Sequence, residues 1–371
     1  MARKQFLSFL LIFSLLFSCA SALAEADDDD DWDDNVDDAW EMEHPLHSGD
    51  YAYALLDDGT VEITSYGGAD TEIVIPDTLD GKPVTAIGER AFYYSLSLTS
   101  VTIPDSVTHI SQKAFSCCFQ LTSITLPSGL TAIESGTFDL CKSLTAIDIP
   151  DSVAAIADDA FIGCKALQSF SLSPNHPYFF LADDALCRTA DSTLLLYPNA
   201  REPRTYRIPD GITAISAYAF YDCDLLESVV VPDSVTQLPA RAFSGCSALA
   251  SVSLPDSLTE IGTAAFSGCS ALTGIPAAIT EIINHTFSGC TSLATLEIQD
   301  SVTKIGDYAF FGCTSLTSIG IPDSVTAIGN GAFSNCTALT LTVTPDSYAA
   351  EYAKANNIPC TYPDANDWLN N

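Results

Sequence analysis

A repeat of 23 residues dominates the sequence. Phenylalanines recur at this interval in two runs that lie 59 residues apart, with one shorter interval of 21. An aliphatic residue follows most of them eleven positions later and keeps the same register. Self-similarity at a fixed period of this length is typical of solenoids, in which neighbouring repeats complete one another's core. The phenylalanines are Phe92, Phe115, Phe138, Phe161, Phe220, Phe243, Phe266, Phe287, Phe310 and Phe333.

The repeat unit predicts one short β-strand plus a turn or short helical segment per 23-residue coil. The alternation x-I-x-I is typical of a half-buried strand, and the proline after it ends the strand because it cannot donate a ladder hydrogen bond. The Asp-Ser pair that follows favours a turn. In x-I-x-x-x-A-F-x-x-C the apolar residues recur at near-helical spacing. About seven apolar side chains per coil would each contribute roughly 1.5 to 3 kcal/mol when stacking buries them.

The unit I-P-D-S-V-T-x-I-x-x-x-A-F-x-x-C, as in Ile103–Cys118, resembles the BspA-like leucine-rich repeat proteins. The resemblance extends over residues 51–362. It implies an α/β leucine-rich-repeat solenoid wound as a right-handed superhelix. It also implies an adhesion-like protein that binds host matrix or neighbouring cells.

The solenoid is expected over residues 75–343, with a hairpin insert at 174–207. Residues 48–74, which turn at Asp57-Asp58-Gly59, resemble the family's N-terminal capping hairpin, and residues 344–371 its C-terminal cap and a tail. In the insert, Asp183-Asp184 stands where such hairpins usually have a glycine-containing turn, so its geometry stays open.

The N-terminal residues predict export. Arg3 and Lys4 precede a twelve-residue apolar stretch, which is too short to span a bilayer and is typical of a signal peptide over residues 1–24. Cleavage after Ala24 is favoured, and the alternative is a lipoprotein-type site with lipid on Cys19. Residues 25–47 form an acidic linker that we expect to be disordered, because twelve carboxylates there face no base. We expect a secreted or cell-surface protein without a membrane span.

Charge and cysteines narrow the chemistry. The net charge of −34 argues against nucleic acid as a partner. Nine of 13 cysteines lie three residues after a phenylalanine, which favours reduced, buried packing; export leaves disulfides between coils as the alternative. Cys117, Cys187 and Cys360 lie outside this column and are the expected exceptions.

We find no catalytic constellation, metal-ligand spacing or cofactor motif in the sequence. The histidines are scattered, and His44 and His47 lie in the acidic linker region without supporting ligands. We therefore expect a protein that is not an enzyme and has neither metal nor cofactor. A carbohydrate-active enzyme that uses a carboxylate such as Asp148 or Glu297 is the least favoured alternative.

The outward side chains of the strands predict a concave face for an extracellular protein or glycan partner. A solvated sheet, chosen for strand propensity, is an equal alternative reading of this face, and a structural envelope component without a specific ligand is the alternative function. The insert offers Tyr178, Phe179 and Tyr197 as apolar contacts. We expect a monomer. The expected face comprises Thr102, Thr125, Asp148, Ser171, Val230, Ser253, Glu297 and Gly320.

Overall fold

The computed structural model describes residues 45–202, 204–274 and 281–362. The expected signal peptide, Cys19, His44 and most of the acidic linker lie outside the described residues. From residue 45 onward the chain is a leucine-rich-repeat solenoid in which each coil contributes short strands to parallel ladders. The array is mostly strand and turn.

An antiparallel sheet begins the described chain. It comprises β1 (Leu46–Ser48), β2 (Tyr51–Leu55) and β3 (Val61–Tyr66), and β3 continues in parallel with β6 (Lys82–Ile87). The turn between β2 and β3 has Gly59 at φ 83°, and the Asp58 carboxylate accepts a hydrogen bond of 2.9 Å from the Thr60 N–H. The sheet covers the first coil, so that the end of the ladder is not open to solvent.

The first strand of each coil lies in a parallel ladder whose middle residue is buried and whose outer residues face solvent to varying degrees. This alternation follows from the period of two along a strand. The strands are β4 (Glu72–Val74), β7 (Ser100–Thr102), β9 (Ser123–Thr125), β11 (Ala146–Asp148), β13 (Ser169–Ser171), β17 (Thr205–Arg207), β19 (Ser228–Val230), β21 (Ser251–Ser253), β24 (Ser318–Gly320), β26 (Thr340–Thr342) and β27 (Cys360–Thr361).

A second ladder of two-residue strands follows the proline turns. It extends the sheet that contains β6, with β5 (Thr78–Leu79) paired antiparallel to β6. Ile282 bridges to Ile305 in the same parallel manner. The strands are β8 (His109–Ile110), β10 (Ala132–Ile133), β12 (Ala155–Ile156), β18 (Ala214–Ile215), β20 (Gln237–Leu238), β22 (Glu260–Ile261), β23 (Lys304–Ile305) and β25 (Ala327–Ile328).

The helical segment expected in each coil is not confirmed. In the A-F-x-x-C segments the chain makes successive turns, as in the Cys118 N–H bond to the Phe115 carbonyl, and left-handed residues such as Lys113 and Cys117 interrupt any helix. The phenylalanine N–H groups bond across to the next coil, with Phe92 N donating to the Ala114 carbonyl at 2.8 Å. Near-helical spacing therefore arises here from turns that are bonded between coils.

The α-helix of the described residues is α1 (Tyr348–Ala355), at the C-terminal end of the solenoid. Ser347 caps it, accepting a hydrogen bond from the Ala350 N–H at 3.2 Å. Its buried face carries Ala349 and Ala353, and Tyr352 packs edge-on against Phe333. The helix thus covers the end of the aromatic core. No helix in the described ranges has the length and apolar composition of a membrane span.

The repeated phenylalanines stack as a column of rings. Centroid distances run from 4.8 to 5.9 Å between neighbouring coils, as for Phe220 and Phe243 at 4.8 Å and Phe287 and Phe310 at 5.6 Å. Tyr66 and Tyr197 fill the ring position of the coils that precede Phe92 and Phe220. The sequence analysis missed these two positions because the phenolic ring interrupts the phenylalanine register.

The insert is a three-stranded antiparallel layer built into the solenoid. It comprises β14 (Phe179–Ala182), β15 (Ala185–Arg188) and β16 (Thr193–Leu196), and β16 pairs in parallel with β18. Leu186 and Leu195 pack into the core on the N-terminal side, whereas Cys187 and Leu194 pack into the core on the C-terminal side. The insert therefore divides the hydrophobic interior into two clusters. The final residues of the interval expected for the insert form β17, which pairs with β19 as a solenoid strand.

The Asp183-Asp184 turn is left-handed at both central residues, with φ values of 46° and 68°. Aspartate tolerates this conformation better than most residues, and it matches the twist of the hairpin strands. Arg201 Nε lies 3.0 Å from an Asp184 carboxylate oxygen. The Arg201 guanidinium also lies 5.7 and 5.8 Å from the ring centroids of Tyr197 and Tyr206. This pairing ties the turn to the aromatic column.

Candidate functional site

The expected binding residues occupy equivalent positions on successive strands. Thr102 pairs with Thr125, Asp148 with Ser171, and Val230 with Ser253 in parallel register. Because their strand neighbours on both sides alternate in direction, these side chains point away from the core. We call this set the strand face. Thr102 and Val230 are half-buried, whereas Thr125, Asp148, Ser171, Ser253, Glu297 and Gly320 are exposed.

The structure adds four residues to the strand face. Val74 pairs with Thr102 and is 72% exposed, and Arg207 pairs with Val230. Thr342 pairs with Gly320 and with Thr361 at the C-terminal end. The signal for Arg207 was present in the sequence, because Thr-Tyr-Arg-Ile-Pro fits x-I-x-I-P once Tyr206 is accepted in the place of an aliphatic residue.

Hydroxyl groups beside the strand face serve the ladder. Thr99 Oγ1 donates to the Thr71 carbonyl at 2.9 Å, and Thr122 Oγ1 donates to the Thr99 carbonyl at 2.8 Å. Ser123 Oγ donates to Ser100 Oγ at 3.2 Å. These hydroxyls stabilise the stack of coils, so the side chains that remain for a partner are those of the outer strand positions.

A groove of about 1140 Å³ interrupts the strand face near its C-terminal half. Glu297 lies in it, on an irregular segment outside the strands, together with Gly320 and Thr342. The groove coincides with the coil that is 21 residues long instead of 23. A missing pair of residues therefore gives this otherwise even surface its main relief.

Two of the three contacts expected in the insert are corrected. Phe179 is 3% exposed and Tyr197 is 2% exposed, because each packs into the solenoid core, so neither side chain can contact a partner. Tyr178 is 44% exposed, as a contact residue requires. Phe180 and Leu181, at 36% and 37%, are the other large apolar groups that the insert exposes among its described residues.

His176 fastens the start of the insert to the solenoid. Its Nδ1 accepts hydrogen bonds from the N–H groups of Tyr178 and Phe179 at 3.3 and 3.2 Å. Since Nδ1 accepts, Nε2 carries the proton and donates to the Pro150 carbonyl at 3.0 Å. Every polar atom of this buried ring is engaged in a structural bond.

The cysteine column is a row of buried thiols. The twelve cysteines of the described residues are free, and ten of them are buried. Each column thiol donates to a phenylalanine or tyrosine carbonyl one coil back, as for Cys118 to Phe92 at 3.1 Å and Cys141 to Phe115 at 3.3 Å. Burial raises the pKa of Cys118 to about 12 and that of Cys141 well above 9. A protonated, enclosed thiol is a poor nucleophile.

Of the expected exceptions, Cys117 and Cys187 are buried, whereas Cys360 is half-exposed at the C-terminal end. Within residues 45–202, 204–274 and 281–362, no group of three or more His, Cys, Asp or Glu side chains is placed to hold a metal ion.

Comparison with known proteins agrees with this geometry. A family model described as the BspA type leucine rich repeat region matches in six copies over residues 71–181, 201–277 and 273–352. No curated protein matches the chain.

Three solved structures illustrate what the chain is similar to. A leucine-rich repeat protein from Eubacterium ventriosum is 24% identical, with 78% of this chain and 93% of that chain covered and a TM-score of 0.63. The pneumococcal vaccine antigen PcpA is 17% identical, with coverage of 87% and 99% and a TM-score of 0.59. A leucine rich cell surface protein from Faecalibacterium prausnitzii is 29% identical, with coverage of 88% and 97% and a TM-score of 0.49. The first two similarities show a shared fold.

Proposed function

Because the chain belongs to the BspA-type leucine-rich repeat family, we propose that it is a secreted or cell-surface interaction protein. In this proposal the strand face binds an extracellular protein or glycan, in an adhesion-like role, and the protein acts as a monomer. No catalytic step and no cofactor is part of the proposal.

The single observation that supports the proposal is the parallel register of the first strands. The register repeats one outward position from coil to coil, as in Thr102–Thr125 and Val230–Ser253. Coils lie about 4.8 Å apart along such a ladder, so that a partner meets a regular row of side chains on a rigid support. A surface with many small contacts in one row suits an extended partner better than a compact small molecule.

The proposed location rests on the apolar N-terminal stretch, which resembles a signal peptide. Mass spectrometry of the mature N-terminus tests it. We expect a chain that begins at Glu25; a lipid-modified Cys19 would instead give a cell-surface lipoprotein. An N-terminus at Met1 or Ala2 in the exported fraction would contradict processing altogether.

Binding is tested by probing arrays of extracellular matrix proteins and glycans with the purified chain and two variants. Thr125→Arg places a large cation on the strand face, whereas Thr131→Arg places the same group at an exposed position of the same coil outside it. We expect Thr125→Arg to weaken binding to the captured partner at least tenfold and Thr131→Arg to leave it unchanged.

Two outcomes contradict the proposal. Equal effects of the two variants would show that the partner does not use the strand face. A folded sample that binds nothing on the arrays would favour the alternative of a structural envelope component without a specific ligand.

A further inference from the structure

An exposed aromatic cluster lies on the turn side of the N-terminal coils, away from the strand face. Tyr93 and Tyr94 are 47% and 42% exposed, with ring centroids 5.3 Å apart, and Leu96 is 49% exposed. The Tyr94 ring meets the half-buried Phe119 ring edge-on at 5.5 Å. Lys142 Nζ lies 4.7 Å from the Phe119 centroid. We call these five residues the Tyr94 patch.

Three members of the patch share one repeat position. Leu96, Phe119 and Lys142 each stand four residues after the core phenylalanine of three successive coils. Stacking therefore brings them side by side without any long-range folding event. The sequence analysis passed over this column because it followed the strand positions and the insert.

The backbone of Tyr94 is unfavourable for a tyrosine. Tyr94 has φ 63°, and the equivalent residues of later coils include Gly163, Gly245, Gly268 and Gly289, also at positive φ. An L-residue with a large side chain is disfavoured in this conformation, whereas glycine adopts it freely. The ring of Tyr94 adds little to the core, since it is 42% exposed. Such an outlier on a surface favours a functional reason for the side chain.

Lys142 is an unusual cation for this chain. Among the residues that the structure describes, Lys142 forms no ion pair, although the chain carries 48 acidic and only 14 basic residues. Lys165, at the same position of the next coil, is by contrast paired with Asp222 and Asp224. The Lys142 ammonium is thus free to take a carboxylate from outside the chain.

The dimensions of the patch favour a small ligand. The column spans three coils, or about 10 Å, which is far less than the roughly 800 Å² per partner that a stable protein interface buries. The strongly negative net charge of the chain also disfavours a polyanion, so that one carboxylate beside an apolar surface is the better match. A sugar ring offers an apolar C–H face for the aromatic rings.

We propose that the Tyr94 patch binds a short oligosaccharide carrying one carboxylated sugar, whose ring stacks on Tyr94 and Phe119 and whose carboxylate pairs with Lys142. This site is separate from the strand face, so that its failure leaves the proposed function untested and unharmed, and the failure of the strand face leaves this site in place.

The experiment titrates the full chain with 3′-sialyllactose, with neutral lactose and with a hexaglutamate peptide, to about 10 mM each, because ligands of this size bind weakly. Chemical shifts or calorimetry report the binding. We expect 3′-sialyllactose to bind and lactose to bind at least tenfold more weakly. Tyr94→Gly should weaken 3′-sialyllactose binding about tenfold, and Lys142→Gln should bring its affinity down to that of lactose.

The matched control is Tyr308→Gly. Tyr308 is also an exposed tyrosine at positive φ, 52°, but it contacts His285 and Phe311 in a distant coil. We expect Tyr308→Gly to leave binding unchanged, and both glycine variants to keep or raise the thermal unfolding midpoint, because glycine suits the left-handed backbone.

Three results would overturn the proposal: no binding of 3′-sialyllactose, equal binding of lactose and 3′-sialyllactose, or hexaglutamate binding as tight as that of the sugar. Loss of binding in Tyr308→Gly equal to that in Tyr94→Gly would overturn it as well, because the effect would then not belong to the patch.

Discussion

The ring of Tyr197 stacks on that of Phe220, with centroids 5.2 Å apart and planes 28° from parallel. Tyr66 stands in the same relationship to Phe92, also at 5.2 Å and 28°. Each tyrosine begins a run of stacked phenylalanines, one after the N-terminal cap and one after the insert. The aromatic column therefore starts anew on the far side of the insert, with Tyr197 as its first ring.

Removing a ring from the column should destabilise the solenoid. Phe220 is fully buried between Tyr197 and Phe243, and we expect Phe220→Ala to lower the free energy of unfolding by about 3 to 5 kcal/mol, from lost burial and the cavity left behind. Phe311→Ala is the control, because that ring is 37% exposed, and it should cost less than about 1 kcal/mol. Urea unfolding compares the two, and similar losses would contradict the role of the column.

Two glycines should respond in opposite directions to alanine. A Cβ on Gly262 would collide with the backbone of Pro239 and Ala240 in the preceding coil, so that Gly262→Ala should cost about 1 to 3 kcal/mol. Nothing lies within 4 Å of a Cβ on Gly320, which is in a strand. We expect Gly320→Ala to stabilise the protein by about 0.5 kcal/mol. Thermal unfolding of both variants measures the difference, and a destabilised Gly320→Ala would show that the strand face has no free space there.

Stability should fall in alkaline solution because of the buried thiols. Burial raises the pKa of Cys118 and of Cys290 to about 12, whereas the ordinary value, reached on unfolding, is about 9. Below pH 9 both states keep these thiols protonated and the full stability is present. As the pH rises from 9 towards 12, the unfolded chain loses protons that the folded chain retains, and each thiol costs about 1.4 kcal/mol per pH unit.

Urea unfolding from pH 7 to 11 checks this dependence. We expect Cys118→Ala to be less stable than the parent at pH 7 but to lose stability less steeply above pH 9. An unchanged slope in this variant would mean that the Cys118 thiol does not contribute to the alkaline effect.

His176 should be essential for anchoring the insert. In His176→Ala the N–H groups of Tyr178 and Phe179 and the Pro150 carbonyl lose their partner in a buried site, which should cost about 2 kcal/mol. Hydrogen exchange at the Tyr178 and Phe179 amides should accelerate. His285→Ala, which removes an exposed ring, should leave stability within about 0.5 kcal/mol. Unaltered exchange in His176→Ala would contradict the anchoring role.

The sequence alone determined the family and the solenoid, because a fixed period places equivalent residues side by side whatever the details of each coil. Phe115 and Phe138 are 23 residues apart and stack at 5.9 Å, and Thr102 pairs with Thr125 as the period requires. The outward strand positions were predictable for the same reason. Only the alternation of a strand and the register of the repeat are needed to derive them.

Only the tertiary structure decided what lies between and across the coils. Phe179 and Tyr197 looked like exposed contacts in a local pattern, but the insert is a layer between two cores, and burial on its two faces depends on residues far along the chain. Asp105, expected to cap its own turn, accepts a hydrogen bond from the Ser128 N–H of the next coil at 2.8 Å. The expected helical segments became turns, since their N–H groups find carbonyls in the adjacent coil. A repeat specifies which residues are equivalent, whereas the partner of each polar group depends on the distances that stacking creates.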